Sequence, residues 1–352
     1  MLDLSVAEKL YNLRINDFLP LSSGGGIYKI STDRGNFVLK PKRFGDDEFR
    51  FIATACHYLA ENDVAVADVV ATADGRLWFE FADKNADESA NREYFLMNYA
   101  EGRVADFTDA QQLRAVAEAL AKLHDQSRGF YCSCFADRNK IGKFADYVNV
   151  KINDMKKWQR RLEQKEQLCY FDFLYLSHAE SEIERSLAVA ESLNGYYDPL
   201  AAEYESRGGI CHHDLAHHNI LLKPDGKGYQ VAFVDFDYTI ADIFVHDLAS
   251  ILLRIAKANG YNGEQPLIFL REYEKTMAIG ERERRLLWDY LRFPQVFWQL
   301  GLSFYEEVPC LDDSNKKRTR RGRLDKRLTE YINSEVERGQ FLEIMRGAVL
   351  CG

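Results

Sequence analysis

The chain reads Cys211-His212-His213-Asp214-Leu215-Ala216-His217-His218-Asn219-Ile220-Leu221-Leu222 and, a little further on, Val234-Asp235-Phe236-Asp237. In sites that transfer phosphoryl groups, an aspartate accepts the proton of the attacking hydroxyl, an asparagine five residues later holds one magnesium ion, and an aspartate after the next strand holds another. Asp214, Asn219 and Asp235 follow this order. We therefore predict that Asp214 is the catalytic base and that Asn219 and Asp235 bind magnesium through hard oxygen atoms.

The simplest alternative for Asp214 is an acidic residue that caps a turn at a strand end. The five-residue step to Asn219, and the apolar strand before Asp235, argue against a chance match. Four histidines surround the motif: His212, His213, His217 and His218. A zinc site is a second alternative, because two of them stand four residues apart. We expect no zinc, since a strand followed by a loop with magnesium-binding side chains explains the segment better.

Lys40 ends the predicted strand 37–40, where a lysine could reach the α and β phosphates of a nucleotide. A lysine at a strand end is more often simply solvated. Glu48, at the start of the next predicted helix, favours the functional interpretation, because it is placed to pair with Lys40 and hold it in position. Asp46 and Asp47 could take the same role, since the choice rests on helix phase alone.

A glycine-rich loop, Gly24-Gly25-Gly26, precedes this strand. Its backbone amides could approach phosphate oxygens, although the loop lacks the G-x-G-x-x-G spacing and the lysine-serine ending of a P-loop. A plain hairpin turn is the alternative. Further along, Asn98-Tyr99-Ala100 stands where the backbone of a kinase hinge would contact the edge of an adenine ring, an assignment that rests on position alone.

The order of predicted elements indicates an α+β protein with two lobes. Residues 1–100 carry a short helix, five strands of a small antiparallel sheet and one main amphipathic helix over 46–62. Residues 101–352 are mostly helical, with short strands over 210–235 around the motif. We predict a nucleotide-binding lobe over 1–100 and a catalytic and substrate-binding helical lobe over 101–352.

The composition excludes several classes of protein. A chain of 352 residues with 46% hydrophobic and 13% aromatic residues can bury a sizeable core. The formal net charge of -9 argues against general nucleic-acid binding. We also expect neither a secretory signal nor a membrane span, because no basic segment leads into an apolar run and no apolar run is long enough. The seven scattered cysteines favour reduced thiols in the cytoplasm, and we expect free thiols at Cys132 and Cys134 too.

Two further features leave alternatives open. Residues 316–327 contain eight basic residues among twelve, which could attract an anionic partner or substrate, or could form a solvated helix end. Asp247, in the run His246-Asp247-Leu248-Ala249, could cap a helix or form hydrogen bonds back to the catalytic loop.

In their order, these residues resemble those of the aminoglycoside and choline kinase-like phosphotransferases: Lys40, Glu48, Glu101-Gly102, His212-His213-Asp214, Asn219, Asp235 and His246-Asp247-Leu248-Ala249. A closer resemblance, to the CotS-type spore coat kinase-like proteins, rests on three runs: His213-Asp214-Leu215-Ala216-His217-His218-Asn219-Ile220, Val234-Asp235-Phe236-Asp237-Tyr238 and Leu291-Arg292-Phe293-Pro294-Gln295-Val296-Phe297-Trp298. The resemblance spans most of the chain.

This resemblance implies a bilobal protein-kinase-like fold, ATP and Mg²⁺ as cofactors, and an association with the coat of bacterial endospores. Two positions depart from protein kinases: His213 stands where H-R-D carries arginine, and Asp237 stands where D-F-G carries glycine. That arginine usually receives an activation-loop phosphate, and no A-P-E signature follows the motif. We therefore expect a small-molecule kinase rather than a protein kinase.

These observations together predict an ATP-dependent phosphotransferase that acts on the hydroxyl of a small molecule or a coat-associated glycan. Its expected partners are a nucleotide and a small hydroxylated substrate, with spore coat proteins as further candidates. The alternative is a kinase-shaped coat or assembly protein without catalytic activity, which the loose glycine loop and the spore-coat resemblance favour. The expected location is the cytoplasm, with deposition on the spore coat as the option that the resemblance adds.

Overall fold

The computed structural model describes residues 4–21, 26–81, 92–311 and 313–351. The chain forms two compact units, and each unit is made of three separate segments of the sequence. Unit 1 comprises Met1–Asn139, Arg207–Asp247 and Arg271–Met277, and unit 2 comprises Lys140–Ser206, Leu248–Leu270 and Ala278–Gly352. An antiparallel sheet near the N terminus and a mostly helical remainder confirm the predicted α+β fold class. The predicted lobe boundary at residue 100 stays a prediction.

The N-terminal part of unit 1 is built on an antiparallel sheet. Its strands are β1 (Ile15–Pro20), β2 (Tyr28–Thr32), β3 (Gly35–Pro41), β4 (Val69–Val70), β5 (Phe79–Phe81) and β6 (Arg92–Asn98). They lie in the order β1-β2-β3-β6-β4, and β5 also pairs with β6. Strands β2 and β3 form an antiparallel hairpin, with Tyr28 opposite Leu39 and Thr32 opposite Gly35. Strand β4 was not predicted, because two residues are too few to show a period.

Each face of this sheet packs against one helix. The two helices are α1 (Ser5–Tyr11) and α2 (Asp46–Glu61). Successive residues of a strand point to opposite faces, so Leu96 of β6 joins the apolar cluster that includes α1, and Phe95 joins the cluster that includes α2. Lys40 lies directly opposite Phe95. Since opposite residues of paired strands share a face, the Lys40 side chain lies on the face that α2 covers.

A second, smaller sheet carries the motif. Its strands are β7 (Arg103–Val104), β8 (Ile220–Pro224) and β9 (Tyr229–Phe233), in the order β7-β8-β9. Asn219 comes directly before β8, and Asp235 follows β9 after one residue. Gly102 leads into β7 with φ +153, and a Cβ atom there would lie 3.0 Å from the backbone of Leu222. The close pairing of β7 with β8 therefore requires glycine at this position.

The remaining elements are helices. They are α3 (Ala110–Gln126), α4 (Phe144–Glu163), α5 (Tyr170–Ser192), α6 (Tyr197–Arg207), α7 (Val245–Ala258), α8 (Glu264–Thr276), α9 (Glu281–Arg292), α10 (Gln295–Leu302), α11 (Ser314–Asn333) and α12 (Glu335–Leu350). An aromatic core fills unit 2, where the rings of Phe171 and Phe304 stack at 3.9 Å and those of Tyr175 and Phe297 at 4.1 Å. Among the helices that the structure describes, none is both long and apolar enough to cross a lipid bilayer.

Cys132 and Cys134 form a disulfide bond in the connection after α3. The expectation of free thiols at these two positions is therefore wrong. A single intervening residue places their Cα atoms 5.6 Å apart, which is within the span of a disulfide. The spacing could not reveal this, because a bonded pair and two free thiols share the same sequence. The free cysteines of the described residues are Cys56, Cys169, Cys211, Cys310 and Cys351.

Candidate active site

A buried carboxylate fixes the backbone at the start of the motif. Asp247 accepts hydrogen bonds from the backbone N–H groups of His212 and His213, at 2.6 and 2.8 Å. His212 is fully buried, and its Nε2 atom lies 2.9 Å from the carbonyl oxygen of Val234. Of the two roles considered for Asp247, the structure shows the hydrogen bonds back to the loop. The contact between His212 and Val234 thus attaches the loop to the end of β9, two residues before Asp214.

Asp214 and Asn219 are in direct contact. The Asn219 Nδ2 atom donates to the backbone carbonyl oxygen of Asp214 at 2.9 Å and to its Oδ2 at 3.1 Å. A short 3-10 turn over His217–Asn219 closes the loop between them. The backbone N–H of Val234 donates to the Asn219 carbonyl at 3.0 Å, which ties Asn219 to the residue before Asp235. With its amide nitrogen turned to Asp214, Asn219 directs its amide oxygen elsewhere, as a cation ligand requires.

Asp235 and Asp237 share the ammonium group of Lys40. The Lys40 Nζ atom lies 2.6 Å from Oδ1 of each aspartate. Asp235 has a left-handed backbone conformation, with φ 65 and ψ 63, which is uncommon outside glycine. Such strained positions cluster at functional sites. The lysine, only 7% exposed, therefore connects strand β3 to the turn that follows β9.

The three charged groups of this cluster shift one another's pKa values. Burial alone would lower the pKa of Lys40, but attraction to Asp237 and Asp235 outweighs burial and raises the pKa above its usual value. Burial would raise the pKa of Asp235, yet the charge and hydrogen bond of Lys40 lower it. For Asp237, burial and the neighbouring Asp235 together raise the pKa despite Lys40. The ammonium is therefore held charged beside a carboxylate that is ionised.

Glu48 does not pair with Lys40 in this structure, so the predicted pairing is corrected. Glu48 accepts instead from Arg138, whose Nη2 and Nε atoms lie 2.7 and 3.1 Å from Glu48 Oε1. The alternative Asp46 pairs with Lys42 at 2.7 Å. The physical reason is that the turn after β9 supplies two closer carboxylates to Lys40. Helix phase could not show this, because those carboxylates are distant in sequence.

The predicted nucleotide contacts are only partly described. Gly24 and Gly25 lie outside the described residues, and Gly26 has φ +69, a conformation that favours glycine. In the predicted hinge Asn98-Tyr99-Ala100, the backbone N–H of Asn98 donates to Asp68 at 2.9 Å and that of Tyr99 donates to Asn36 at 3.3 Å. An adenine edge would therefore have to use other backbone groups of this stretch. These nucleotide contacts stay a prediction.

The histidines near the motif occupy separate environments. The ring of His213 packs on that of His246 at 4.3 Å, whereas His217 and His218 are exposed. Among the residues that the structure describes, no three His, Cys, Asp or Glu side chains are grouped as a metal site. His213 also has a left-handed backbone, with φ 66. Burial lowers its pKa to about 3, so the imidazole is neutral at physiological pH.

The oxygen atoms around Asp235 fit a magnesium ion. Magnesium prefers carboxylate and amide oxygens and usually keeps several water ligands, so it needs few protein side chains. Asp235 is 44% exposed at its side chain, and Asp237, two residues on, adds a second carboxylate. Together with the Asn219 amide oxygen, these groups could hold the ion. Asp237 was not predicted as a site residue. Its position was a usable signal, because it places a carboxylate where the D-F-G motif carries glycine.

The sequence matches a known protein family over most of its length. The model of the phosphotransferase enzyme family matches residues 18–287. The chain belongs to this family. As a member of the phosphotransferase enzyme family it resembles spore coat protein S of Bacillus subtilis (strain 168), with 22% identity over 286 residues, or 80% of this chain and 78% of that protein. The predicted resemblance to spore coat kinase-like proteins is thereby confirmed.

Solved structures of other phosphotransferases share this fold. An aminoglycoside phosphotransferase from Alicyclobacillus acidocaldarius has a TM-score of 0.79 at 20% identity, covering 99% of this chain and 96% of that one. Amicoumacin kinase hAmiN, solved with AMP-PNP, Ca²⁺ and Ami, has a TM-score of 0.59 at 16% identity, covering 93% and 92% of the two chains. The kinase-like fold that the resemblance implied is thus present in this chain.

Proposed function

We propose that this phosphotransferase uses ATP and Mg²⁺ to phosphorylate a hydroxyl group of a small molecule or a coat-associated glycan. The observation that carries the proposal is the linked set of contacts in unit 1. Asn219 contacts Asp214 at 3.1 Å and is tied through its backbone to the residue before Asp235. Lys40 lies 2.6 Å from Asp235. A base, a phosphate-binding cation and oxygen ligands for a metal are thereby connected.

In the proposed reaction, Asp214 orients the acceptor hydroxyl and accepts its proton. The hydroxyl oxygen forms a bond to the γ-phosphorus while the bond from that phosphorus to the β–γ bridging oxygen breaks. Lys40 exchanges a carboxylate partner for the nucleotide phosphates. Asn219 and Asp235 hold Mg²⁺, which, when bound, supplies charge neutralisation to the phosphate oxygens. The products are a nucleoside diphosphate and the phosphorylated acceptor, and the protein contributes mainly positioning and electrostatics.

The comparisons support the cofactors by analogy. Amicoumacin kinase, which shares the fold, was solved with a nucleotide analogue and a divalent cation. We extend this to ATP and Mg²⁺ in the present chain. Gly24-Gly25-Gly26 and Asn98-Tyr99-Ala100 remain proposed contributors to the nucleotide site, with residues 1–100 as the nucleotide-binding lobe and residues 101–352 as the lobe that binds the acceptor.

The proposal is tested with full-length protein in two steps. Calorimetry should detect magnesium-dependent ATP binding, and labelled ATP with a panel of hydroxylated metabolites should then identify an acceptor. The Asp214→Asn variant should keep nucleotide binding and lose about 10²-fold to 10⁴-fold in transfer rate, because only proton acceptance is removed. Absence of any magnesium-dependent nucleotide binding by the wild-type protein would overturn the proposal.

A second candidate function is a coat or assembly protein that does not catalyse transfer. The similarity to spore coat protein S favours it. In a spore-forming host, a fluorescent fusion would show whether the protein is deposited from the cytoplasm onto the coat, and coat assembly in an Asp214→Asn strain would separate the functions. Normal assembly and normal spore resistance with Asp214→Asn favour the structural role. A defect that matches the deletion strain favours the enzyme.

A further inference from the structure

Arg138 is a buried cation that contacts both sides of the proposed site. It ends a short 3-10 turn, Ala136–Arg138, and is only 6% exposed. Its Nε and Nη2 atoms donate to Glu48 at the start of α2. Its Nη1 atom donates to the backbone carbonyl oxygens of Asp237 and Thr239, both at 2.8 Å. One guanidinium group therefore joins α2 to the turn that contains Asp235 and Asp237.

The backbone around Arg138 reinforces this junction. The N–H of Ala241 donates to the Arg138 carbonyl at 2.9 Å, so the turn after Asp235 is attached to Arg138 through both side chain and main chain. The Arg138 guanidinium also lies 5.3 Å from the ring of Phe44, just before α2. A planar group with five donors can satisfy a carboxylate and two carbonyls at once, which a lysine ammonium cannot do with the same geometry.

We propose that Arg138 is a positioning residue of the phosphoryl-transfer site, an inference that rests on the proposed function. Arg138 acts in two ways. By holding the Asp237 carbonyl, it fixes the residue whose carboxylate contacts Lys40 at 2.6 Å. By pairing with Glu48, it keeps that carboxylate from competing with Asp235 and Asp237 for Lys40. The turn that offers oxygens to magnesium is thus held in one arrangement before the nucleotide binds.

The first test needs no nucleotide. In hydrogen exchange of the full-length protein, the amides of residues 236–241 should exchange at least about tenfold faster in Arg138→Met than in wild type. The matched control is Arg114→Met, which removes a different arginine of unit 1 whose Nη1 atom lies 3.2 Å from Glu272. Its 236–241 amides should exchange as in wild type. Equal protection of this turn in wild type and Arg138→Met overturns the proposal, whatever the nucleotide does.

The second test is a magnesium titration of ATP binding by calorimetry, well below the melting temperature. Loss of partners behind metal ligands typically costs 10-fold to 100-fold in metal affinity. The Mg²⁺ concentration for half-maximal binding should therefore rise about tenfold or more in Arg138→Met, and Arg138→Lys should recover only part of the loss. Unchanged magnesium dependence in Arg138→Met contradicts the proposal. Absence of magnesium-dependent binding in wild type contradicts the proposed function instead.

A double variant separates the two actions of Arg138. In Arg138→Met, the carboxylate of Glu48 loses its partner and can approach Lys40. Adding Glu48→Gln removes that charge, so ATP binding should improve at least about threefold over Arg138→Met, while the fast exchange of residues 236–241 persists. If Arg138→Met does not fold, Arg138→Lys serves as the parent for the same comparison. No improvement with Glu48→Gln contradicts the shielding of Lys40 by Arg138.

Discussion

The Asp247 carboxylate holds the backbone of His212, with its Oδ2 atom 2.6 Å from the His212 nitrogen. The carboxylate is fully buried, and His124 Nε2 lies 3.4 Å from the same oxygen. Burial would raise the pKa of Asp247, but the contact with His124 and the charges of nearby histidines lower it to about 2. An ionised carboxylate inside unit 1 therefore sets the backbone path into Asp214.

We expect Asp247→Asn to destabilise the protein by about 2–4 kcal/mol, because the amide nitrogen of asparagine would face an N–H donor and leave both unsatisfied. Urea unfolding at neutral pH measures this. The matched control is Asp242→Asn, since burial raises the pKa of Asp242 and its charged form is less favoured. The control should cost less than half as much. Equal losses in the two variants would contradict the assigned role of Asp247.

The stability of the protein should fall as the pH drops from about 6.5 toward 3, partly because of His213. Burial and the neighbouring His246 lower the pKa of this histidine to about 3. In that window the unfolded chain binds a proton at His213 and the native protein does not, so stability decreases with falling pH, by up to roughly 1.4 kcal/mol per pH unit. His213→Asn, which tolerates the left-handed backbone, should flatten the curve.

The measurement is the free energy of unfolding of both proteins at pH 7, 6, 5 and 4.5. The wild-type curve should be steeper than the His213→Asn curve through this range. His217→Asn is the control, because it removes an exposed histidine from the same loop. Parallel curves for wild type and His213→Asn would show that His213 is not held neutral.

Lys40→Met should weaken ATP binding at least about tenfold, because it removes the cation proposed to hold the phosphates and leaves Asp235 and Asp237 without a counter-charge. Lys42→Met is the matched control. Lys42 comes directly after the same strand and pairs with Asp46 and Glu93 at 2.7 and 2.5 Å. Calorimetry should show near-normal ATP affinity for Lys42→Met. A comparable loss in both variants would argue that the effect is general destabilisation.

Gly301→Ala should destabilise unit 2 by about 1–3 kcal/mol, because α10 passes very close to α4 and α5 at this position. A Cβ atom there would lie 2.6 Å from the Trp158 ring and 2.7 Å from Tyr175 Oη. The contrasting variant is Gly322→Ala at an exposed position of α11, where a Cβ atom meets nothing described within 4 Å. That change should stabilise the protein by up to about 1 kcal/mol. Thermal unfolding distinguishes the two, and equal melting temperatures would contradict the packing argument.

Local sequence patterns predicted the local structure of unit 1 well. The hairpin of β2 and β3 and the helix α2 follow from hydrophobic period and turn residues, which neighbouring positions determine. The sequence determines helix starts less closely. Asp109 caps α3, although the neighbouring Thr108 is also a suitable cap residue, and Ser5 lies inside α1 rather than at its cap. Several polar residues near a helix start can serve as the cap, so composition alone leaves the choice open.

Most contacts between segments distant in the chain could not be predicted from the sequence. The order of the motif indicated that Asp214, Asn219 and Asp235 act together, because phosphoryl transfer constrains residue type and spacing. The pairing of Glu48 with Arg138 could not be derived, since it depends on which side chains the folded chain brings to the start of α2. Arg138 carries no motif, and a lone arginine in a loop is ordinarily solvated.

The contact between Lys40 and Asp235 spans 195 residues of chain. During synthesis at about 5–20 residues per second, Lys40 would be added to the chain about 10–40 seconds before Asp235. In that interval the Lys40 ammonium cannot pair with the carboxylates of the distant turn, because they have not yet been synthesised. A premature stop between β6 and Asp235 would therefore release an N-terminal sheet with an incompletely satisfied interior, and a translation pause there would prolong its exposure to chaperones and proteases.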